Sequence, residues 1–366
     1  MTVTATPLHR LSALGQSVWI DHLSRTDLEN GRIAGLIERD AVVGATSNPT
    51  ILQQALSAGA YDAHLRELRE IDDPKELFWQ LASADVRDAC DLFRPVWDAT
   101  AARDGYVSLQ VDPGLAYDTL AMFREARRLR DAVDRPNLMV KIPATRPGLA
   151  AFEDATAAGQ SINVTLIFSL RRYDEVVASY LRGLERLVAA GGDPARVSSV
   201  ASFFVSRIDT EADRRLDESG GDARLRGQLG IANARLAYQR WRDAFTGERW
   251  EFLTDKGATP QRVLWASTSV KDPAWPDTRY VEELIGPDTV DTMPLQTLEA
   301  FQDHGRPAPR LQLGLDRARR VLAELERAGV DYDDLTDTLE REGVAKFAAS
   351  FDELLDGLAR KRTAIT

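Results

Sequence analysis

The chain has 366 residues, 44% hydrophobic and 28% charged, with 24 Gly and 16 Pro. That is ordinary globular composition, and it excludes collagen-like, largely disordered and coiled-coil chains while allowing a large buried core. Its 46 Lys and Arg stand against 57 Asp and Glu, a net charge of −11. Such a balance argues against nucleic acid or an anionic membrane as the main partner, since both select basic surfaces, though it leaves room for a local basic site.

The chain opens on MTVTATPLHRLSALGQ, which lacks the charged start and long apolar stretch of a secretion signal. No window approaches the roughly 18 apolar residues that a membrane helix needs. A soluble, cytoplasmic protein is expected. Short β-rich runs then follow at 17–23, 41–49, 106–111 and 137–144, and continue at 162–168, 197–204, 261–268 and, more weakly, 288–294. Several are near-continuous apolar runs, the pattern of strands buried on both faces in a parallel sheet. Between them lie amphipathic segments such as DTLAMFREARRLRDAV and RRYDEVVASYLRGLERLVAAG, the second stopped by Gly191-Gly192. The lone cysteine, Cys90, sits at helical spacing in LASADVRDACDLF, so a buried small apolar residue is expected, with no disulfide framework and no thiolate zinc site.

Eight strands alternating with helices predict an α/β fold, a single (β/α)8 TIM barrel spanning residues 1–366 as one domain. The stretches 50–105 and 205–260 are too long for one crossover helix and should carry extra ones. Residues from about 311 to 360 read as added C-terminal helices packed outside the barrel. An open doubly wound sheet usually has a glycine-rich first turn, and IDHLSRTDLENG has none.

In a barrel the catalytic groups come from the C-terminal ends of several strands. Here the first strand ends at Asp21 and the second at Ser47-Asn48-Pro49. The third runs into Gln110 and Asp112, and the fourth contains Lys141. Asn163 and Thr165 lie on the fifth, Ser202 on the sixth with Arg207 just beyond, and Ser267-Thr268-Ser269 end the seventh before Lys271. Seven consecutive strands with polar ends form a pattern.

Lys141 is the most informative of these, an ammonium set in the apolar run Leu138-Met139-Val140-Lys141-Ile142-Pro143. Burial disfavours the charged form and yields a neutral amine able to attack a carbonyl. The other reading of the same residue is a lysine whose stem packs in the core while its head reaches water or a carboxylate. Other chemistries find little support. His9, His22, His64 and His304 are scattered without HxxxH or HExxH spacing, so no metal is expected. Phosphate-loop, dinucleotide and GxSxG motifs are absent. Asp331, Asp333 and Asp334 lack the glycine and terminal glutamate of a calcium loop and read as a helix N-terminal region.

The segments GATSNPTI (44–51), QVDPGLAYDT (110–119), NLMVKIPAT (137–145), INVTLIFSLRRYDEV (162–176), VASFFVSRIDTEAD (200–213), LWASTSVKDP (264–273), DTMPLQTLEAFQDHG (291–305) and EGVAKFAASFDELLDGL (342–358) carry a resemblance. In this order they are similar to the transaldolase family, in its longer bacterial and plant-like form. The resemblance implies a cytoplasmic pentose-phosphate-pathway transferase that needs no cofactor, acting on sugar phosphates as a monomer or homodimer. Lys141 would be the Schiff-base lysine, attacking C2 of fructose 6-phosphate or sedoheptulose 7-phosphate and passing a dihydroxyacetone unit to an acceptor such as erythrose 4-phosphate. Asp21 matches the acid/base aspartate, and Thr165 the residue that helps hold the catalytic water. Asn48, Asn163 and Ser202 match positions that bond sugar hydroxyls. Phe204 lies in the same sixth-strand substrate segment. Arg207 matches the phosphate-binding arginine, whose bidentate guanidinium suits phosphate. Ser267 and Lys271 would supply the remainder of the phosphate site.

One departure stands at Gln110, where the family usually has glutamate that helps activate water. Glutamine can orient a water but cannot accept its proton near neutral pH. Gly114 also replaces a common arginine. Three readings follow: a tolerated change in an ordinary transaldolase; an enzyme like the fructose 6-phosphate aldolases, which carry glutamine here, or one with an altered acceptor in specialised metabolism; and a non-catalytic sugar-phosphate-binding barrel.

Overall fold

A computed structural model describes residues 5–47, 56 and 59–365. Within it eight strands pair in chain order and close into a barrel: β1 (Gln16–Ile20), β2 (Val42–Thr46), β3 (Val107–Gln110), β4 (Leu138–Pro143), β5 (Ile162–Ile167), β6 (Ser199–Phe204), β7 (Arg262–Ala266) and β8 (Thr289–Met293). Every pairing is parallel, including β8 on β1. This is the predicted (β/α)8 barrel. All residues of β4 to β8 are buried, which is why several of them, such as Leu138–Pro143 and Ser199–Phe204, read as near-continuous apolar runs instead of alternations.

Each predicted strand overruns the observed one at one end or both, by up to three residues, although β1 starts at Gln16, one residue before its prediction. Apolar side chains continue to pack after the backbone ladder has ended, so hydrophobicity marks burial better than pairing. Two departures from regular strand geometry matter more. On β5 the register to β6 shifts between Val164 and Ile167, and Leu166 takes φ +62. Immediately after β7, Ser267 takes φ +58. Both lie at the C-terminal end of the barrel, where bulges and left-handed residues re-aim side chains.

The helices start where the sequence offers caps. Asp118 accepts from Ala121 N, Thr145 from Gly148 N and Ser169 from Arg172 N, each opening the helix that follows β3, β4 or β5. Long insertions carry extra helices as expected: Asp62–Glu67 and Pro74–Ala99 in the first, and Ser206–Ser219, Leu229–Ala244 and Glu248–Thr254 in the second. Cys90 is fully buried in the Pro74–Ala99 helix, and burial pushes its thiol pKa far up. Asp331 accepts from Asp334 N at 2.9 Å, and Asp333 and Asp334 form the acidic first turn of the last helix.

The last helix, Tyr332–Ile365, packs on other helices and on β5, and it also reaches the C-terminal mouth. The Phe351 ring meets Phe78 edge-on at 5.0 Å, and Phe347 lies 6.0 Å from the Arg207 guanidinium. At Gly343 the helix comes so close to β5 that an added Cβ would stand 2.9 Å from Leu166 Cδ2. Among the described residues, no helix is long and apolar enough to cross a membrane.

Candidate active site

Three neighbouring strands present one tier of side chains to the barrel interior, with Gln110 opposite Lys141 and Lys141 opposite Asn163. Lys141 is 7% exposed. Burial holds its ammonium pKa below the ordinary lysine value; the Asp21 charge opposes that shift and the Arg207 charge adds to it. Among the described residues, the lysines within salt-bridge reach of a carboxylate are Lys75, on Asp112, and Lys361, on Asp62. Lys141 has no such partner, so a lysine head parked on an acid is not what the chain builds.

Asp21 follows β1 directly and is tied to the barrel by its backbone, its N–H donating to Met293 O at 2.8 Å. Its carboxylate accepts from Thr46 Oγ1 at 2.7 Å, and Thr46 in turn meets Thr292 Oγ1 at 2.9 Å. These contacts hold a half-buried carboxylate whose charge reaches Lys141. On the other side, Asn163 Nδ2 donates to Ser108 Oγ at 3.0 Å, and Ser202 Oγ donates to Asn163 Oδ1 at 2.7 Å. A buried polar chain thus runs from β3 to β6 past the lysine. Two nearby oxygens stand apart from it: among the described residues, Gln110 Oε1, beside Lys141 on β3, and Thr165 Oγ1, two positions past Asn163 on β5, are buried with no hydrogen-bond partner. An orphaned buried polar atom costs roughly 1–3 kcal/mol unless something pairs with it, so each marks a place for water or substrate.

The mouth carries positive charge. The Arg207 guanidinium, half-buried, lies 5.0 Å over Phe204, and burial lowers its pKa while the Asp21 charge raises it. One residue before it, Ser206 Oγ meets Ser267 Oγ at 2.9 Å, and Ser206 N–H donates to Ser267 O at 3.0 Å. The left-handed Ser267 is thereby locked against the helix that begins at Ser206 and bears Arg207. Lys271, exposed at the rim, donates to Ser269 Oγ at 2.7 Å, and its pKa is lowered by burial, by Arg207 and by Lys346.

Of the residues expected from sequence, Asp21, Gln110, Lys141, Asn163, Thr165, Ser202, Phe204, Arg207 and Ser267 come together at this end, with Lys271 at its edge. Asn48 lies outside the described residues. Sequence reasoning missed Thr46, Ser108 and Thr292, which hold Asp21 and Asn163. Thr46 sits inside the quoted GATSNPTI segment, but a buried threonine in a strand carries no signal of its own until its partner is known.

The fold and this polar mouth define a (β/α)8 barrel of the enzyme type, with a candidate site at the C-terminal face of the strands. The chain belongs to the transaldolase/fructose-6-phosphate aldolase family, whose model matches residues 18–358. It is 52% identical over 359 residues to a transaldolase of Acidothermus cellulolyticus, covering 97% of this chain and 96% of that one. A Thermobifida fusca transaldolase is 51% identical over 365 residues, covering 98% and 99% of the two chains. Transaldolase 1 of Streptomyces coelicolor is 50% identical over 367 residues, covering 98% and 96%.

Proposed function

We propose that this single-domain barrel is a transaldolase that moves a dihydroxyacetone unit from a ketose phosphate to an aldose phosphate through an imine on Lys141. The observation that carries the reading is a buried strand lysine with a lowered pKa and no ion-pair partner, facing a carboxylate. Family membership supports it. The neutral amine adds to the C2 carbonyl, and loss of water gives an iminium. Asp21 takes the proton of the C4 hydroxyl as the C3–C4 bond breaks; the bonding pair moves into the iminium, leaving an enamine and releasing an aldose phosphate. The enamine carbon then attacks the acceptor aldehyde, Asp21 returns the proton to the new hydroxyl, and water hydrolyses the imine.

Asn163 and Ser202, already bonded to each other, orient the sugar hydroxyls, and Asn48 joins them in this role. Arg207, Ser267 and Lys271 take the phosphate, with Phe204 flooring the guanidinium. Thr165 and Gln110, each with an unpaired oxygen, hold the water lost and regained in imine chemistry. Because an amide cannot take that water's proton, Gln110 orients it and Asp21 carries the proton work.

Borohydride with fructose 6-phosphate should reduce the imine and mark the peptide containing Lys141; a map without that adduct would sink the mechanism. Assaying free dihydroxyacetone with and without erythrose 4-phosphate then separates transfer from aldol release. Acceptor-independent release as the main reaction overturns the transferase reading.

A further inference from the structure

This chain draws its positive charge almost wholly from arginine, forty of them against six lysines. Of the six, Lys75 and Lys361 pair with Asp112 and Asp62, and Lys256 lies 6.0 Å over the Phe252 ring. The remaining three, Lys141, Lys271 and Lys346, gather at the barrel mouth. Lys346 comes from the last helix, which is fixed there on both sides of it: Gly343 presses on Leu166, and Phe347 lies 6.0 Å from the Arg207 guanidinium. Its charge reaches Lys271, whose ammonium it disfavours together with Arg207. Among the described residues, none of Arg207, Lys271 and Lys346 has a carboxylate within salt-bridge reach, although the chain carries a net −11. Acids are plentiful elsewhere, and only the Asp21 charge reaches Arg207, so three cations without a salt bridge, from three separate elements, describe a place that waits for a multivalent anion.

We propose that Lys346 is the third cation of the phosphate subsite, binding the sugar-phosphate dianion with Arg207 and Lys271, so that the C-terminal helix contributes directly to substrate recognition. The inference rests on the transaldolase reading of the same mouth. A lysine suits the position, because a point charge on a four-carbon stem reaches a phosphate from an exposed helix face without the fixed fork geometry that Arg207 supplies from below. It also gives the helix a functional reason to cross the mouth, where outer packing alone would not require it.

The test compares wild type, Lys346→Ala and Lys346→Arg with fructose 6-phosphate and with unphosphorylated fructose as donors, using inorganic phosphate as a competing ligand. In Lys346→Ala the kcat/KM ratio of phosphorylated over unphosphorylated donor should fall roughly tenfold, about 1.4 kcal/mol, through KM. The inhibition constant of phosphate should rise in parallel, and Lys346→Arg should recover most of both. An unchanged ratio with unchanged phosphate inhibition overturns the proposal, as does an equal loss with both donors, which would mark a structural helix residue. Calorimetric titration of inorganic phosphate keeps the two readings apart: failure to trap Lys141 with weakened phosphate binding in Lys346→Ala faults the chemistry and leaves the anion subsite standing.

Discussion

The two ends of the barrel use similar residues to opposite ends. At the N-terminal floor, Asp104 just ahead of β3 accepts from Ser17 Oγ at 2.8 Å, Trp19 Nε1 at 3.3 Å and Arg262 Nη2 at 2.8 Å. Arg262 also donates to Ser17 Oγ at 2.7 Å and to Arg103 O at 2.6 Å, and both ions are nearly inaccessible. At the C-terminal mouth, among the described residues, Lys141 has no salt bridge, Gln110 and Thr165 each keep an unpaired oxygen, and Arg207, Lys271 and Lys346 have no carboxylate within salt-bridge reach. A satisfied buried network holds structure together, whereas an unsatisfied one is held in place by its surroundings for a ligand to complete. Two further orphans sharpen this rule. Asp291 Oδ2 and both amide atoms of Gln160 are also buried and unpaired, yet neither residue converges with other reactive groups. Convergence, added to incompleteness, is what marks the mouth.

The largest expected effect is at the mouth. Lys141→Met should lower kcat/KM by a factor on the order of 10^4 or more without lowering the melting temperature, because it removes a buried amine and leaves no charge behind. Steady-state kinetics and calorimetry together check both halves; a variant that loses activity by unfolding would erase the contrast with the floor. Asp104→Ala should do the reverse. It strands the Arg262 guanidinium, costing about 3–5 kcal/mol of stability, while the folded fraction turns over as wild type does. Urea midpoints and activity per folded molecule separate these outcomes.

Asp291 tests whether an orphan outside the mouth is only a cost. Burial raises its carboxyl to about 7, with Thr268 Oγ1, donating at 2.9 Å, pulling the other way. The unfolded chain ionises near the ordinary aspartate value of about 3.9, so the native state keeps the proton longer. Stability from this group is therefore complete below about pH 4 and is lost as pH climbs to about 7. Asp291→Asn should match wild type at pH 4 and exceed it increasingly up to pH 7, by no more than about 4 kcal/mol; a flat difference across that range would count against a buried titrating acid. The smallest effect is at Gln160, 2% exposed with neither amide atom bonded. Gln160→Leu should stabilise by about 1 kcal/mol, seen as a higher melting temperature with unaltered kinetics.

Much of the mouth was legible before any coordinates. Lys141 is conspicuous because a charged residue inside Leu-Met-Val-Lys-Ile-Pro contradicts its own surroundings, and the family resemblance suggested roles for Asp21, Thr165 and Arg207. Residues whose meaning depends on a distant partner were not legible. Thr46 matters through Asp21, 25 positions earlier, and Ser108 through Asn163, 55 positions later. Lys346 sits inside a quoted motif but draws its interest from Lys271 and Arg207, which nothing in the local helix pattern announces.

By itself the sequence determined the alternation of eight buried strands with capped helices, because hydrophobic periodicity and cap residues act over a few neighbouring positions. It also singled out the lysine of an apolar strand, Lys141, as the candidate reactive amine. Tertiary structure alone decided where pairing stops, as at the β5 bulge and the left-handed Ser267, and which polar groups are satisfied. It also brought the last helix to the mouth, with Phe347 beside Arg207. Those outcomes depend on contacts between residues far apart in the chain, and closure of the barrel is what brings them within bonding distance.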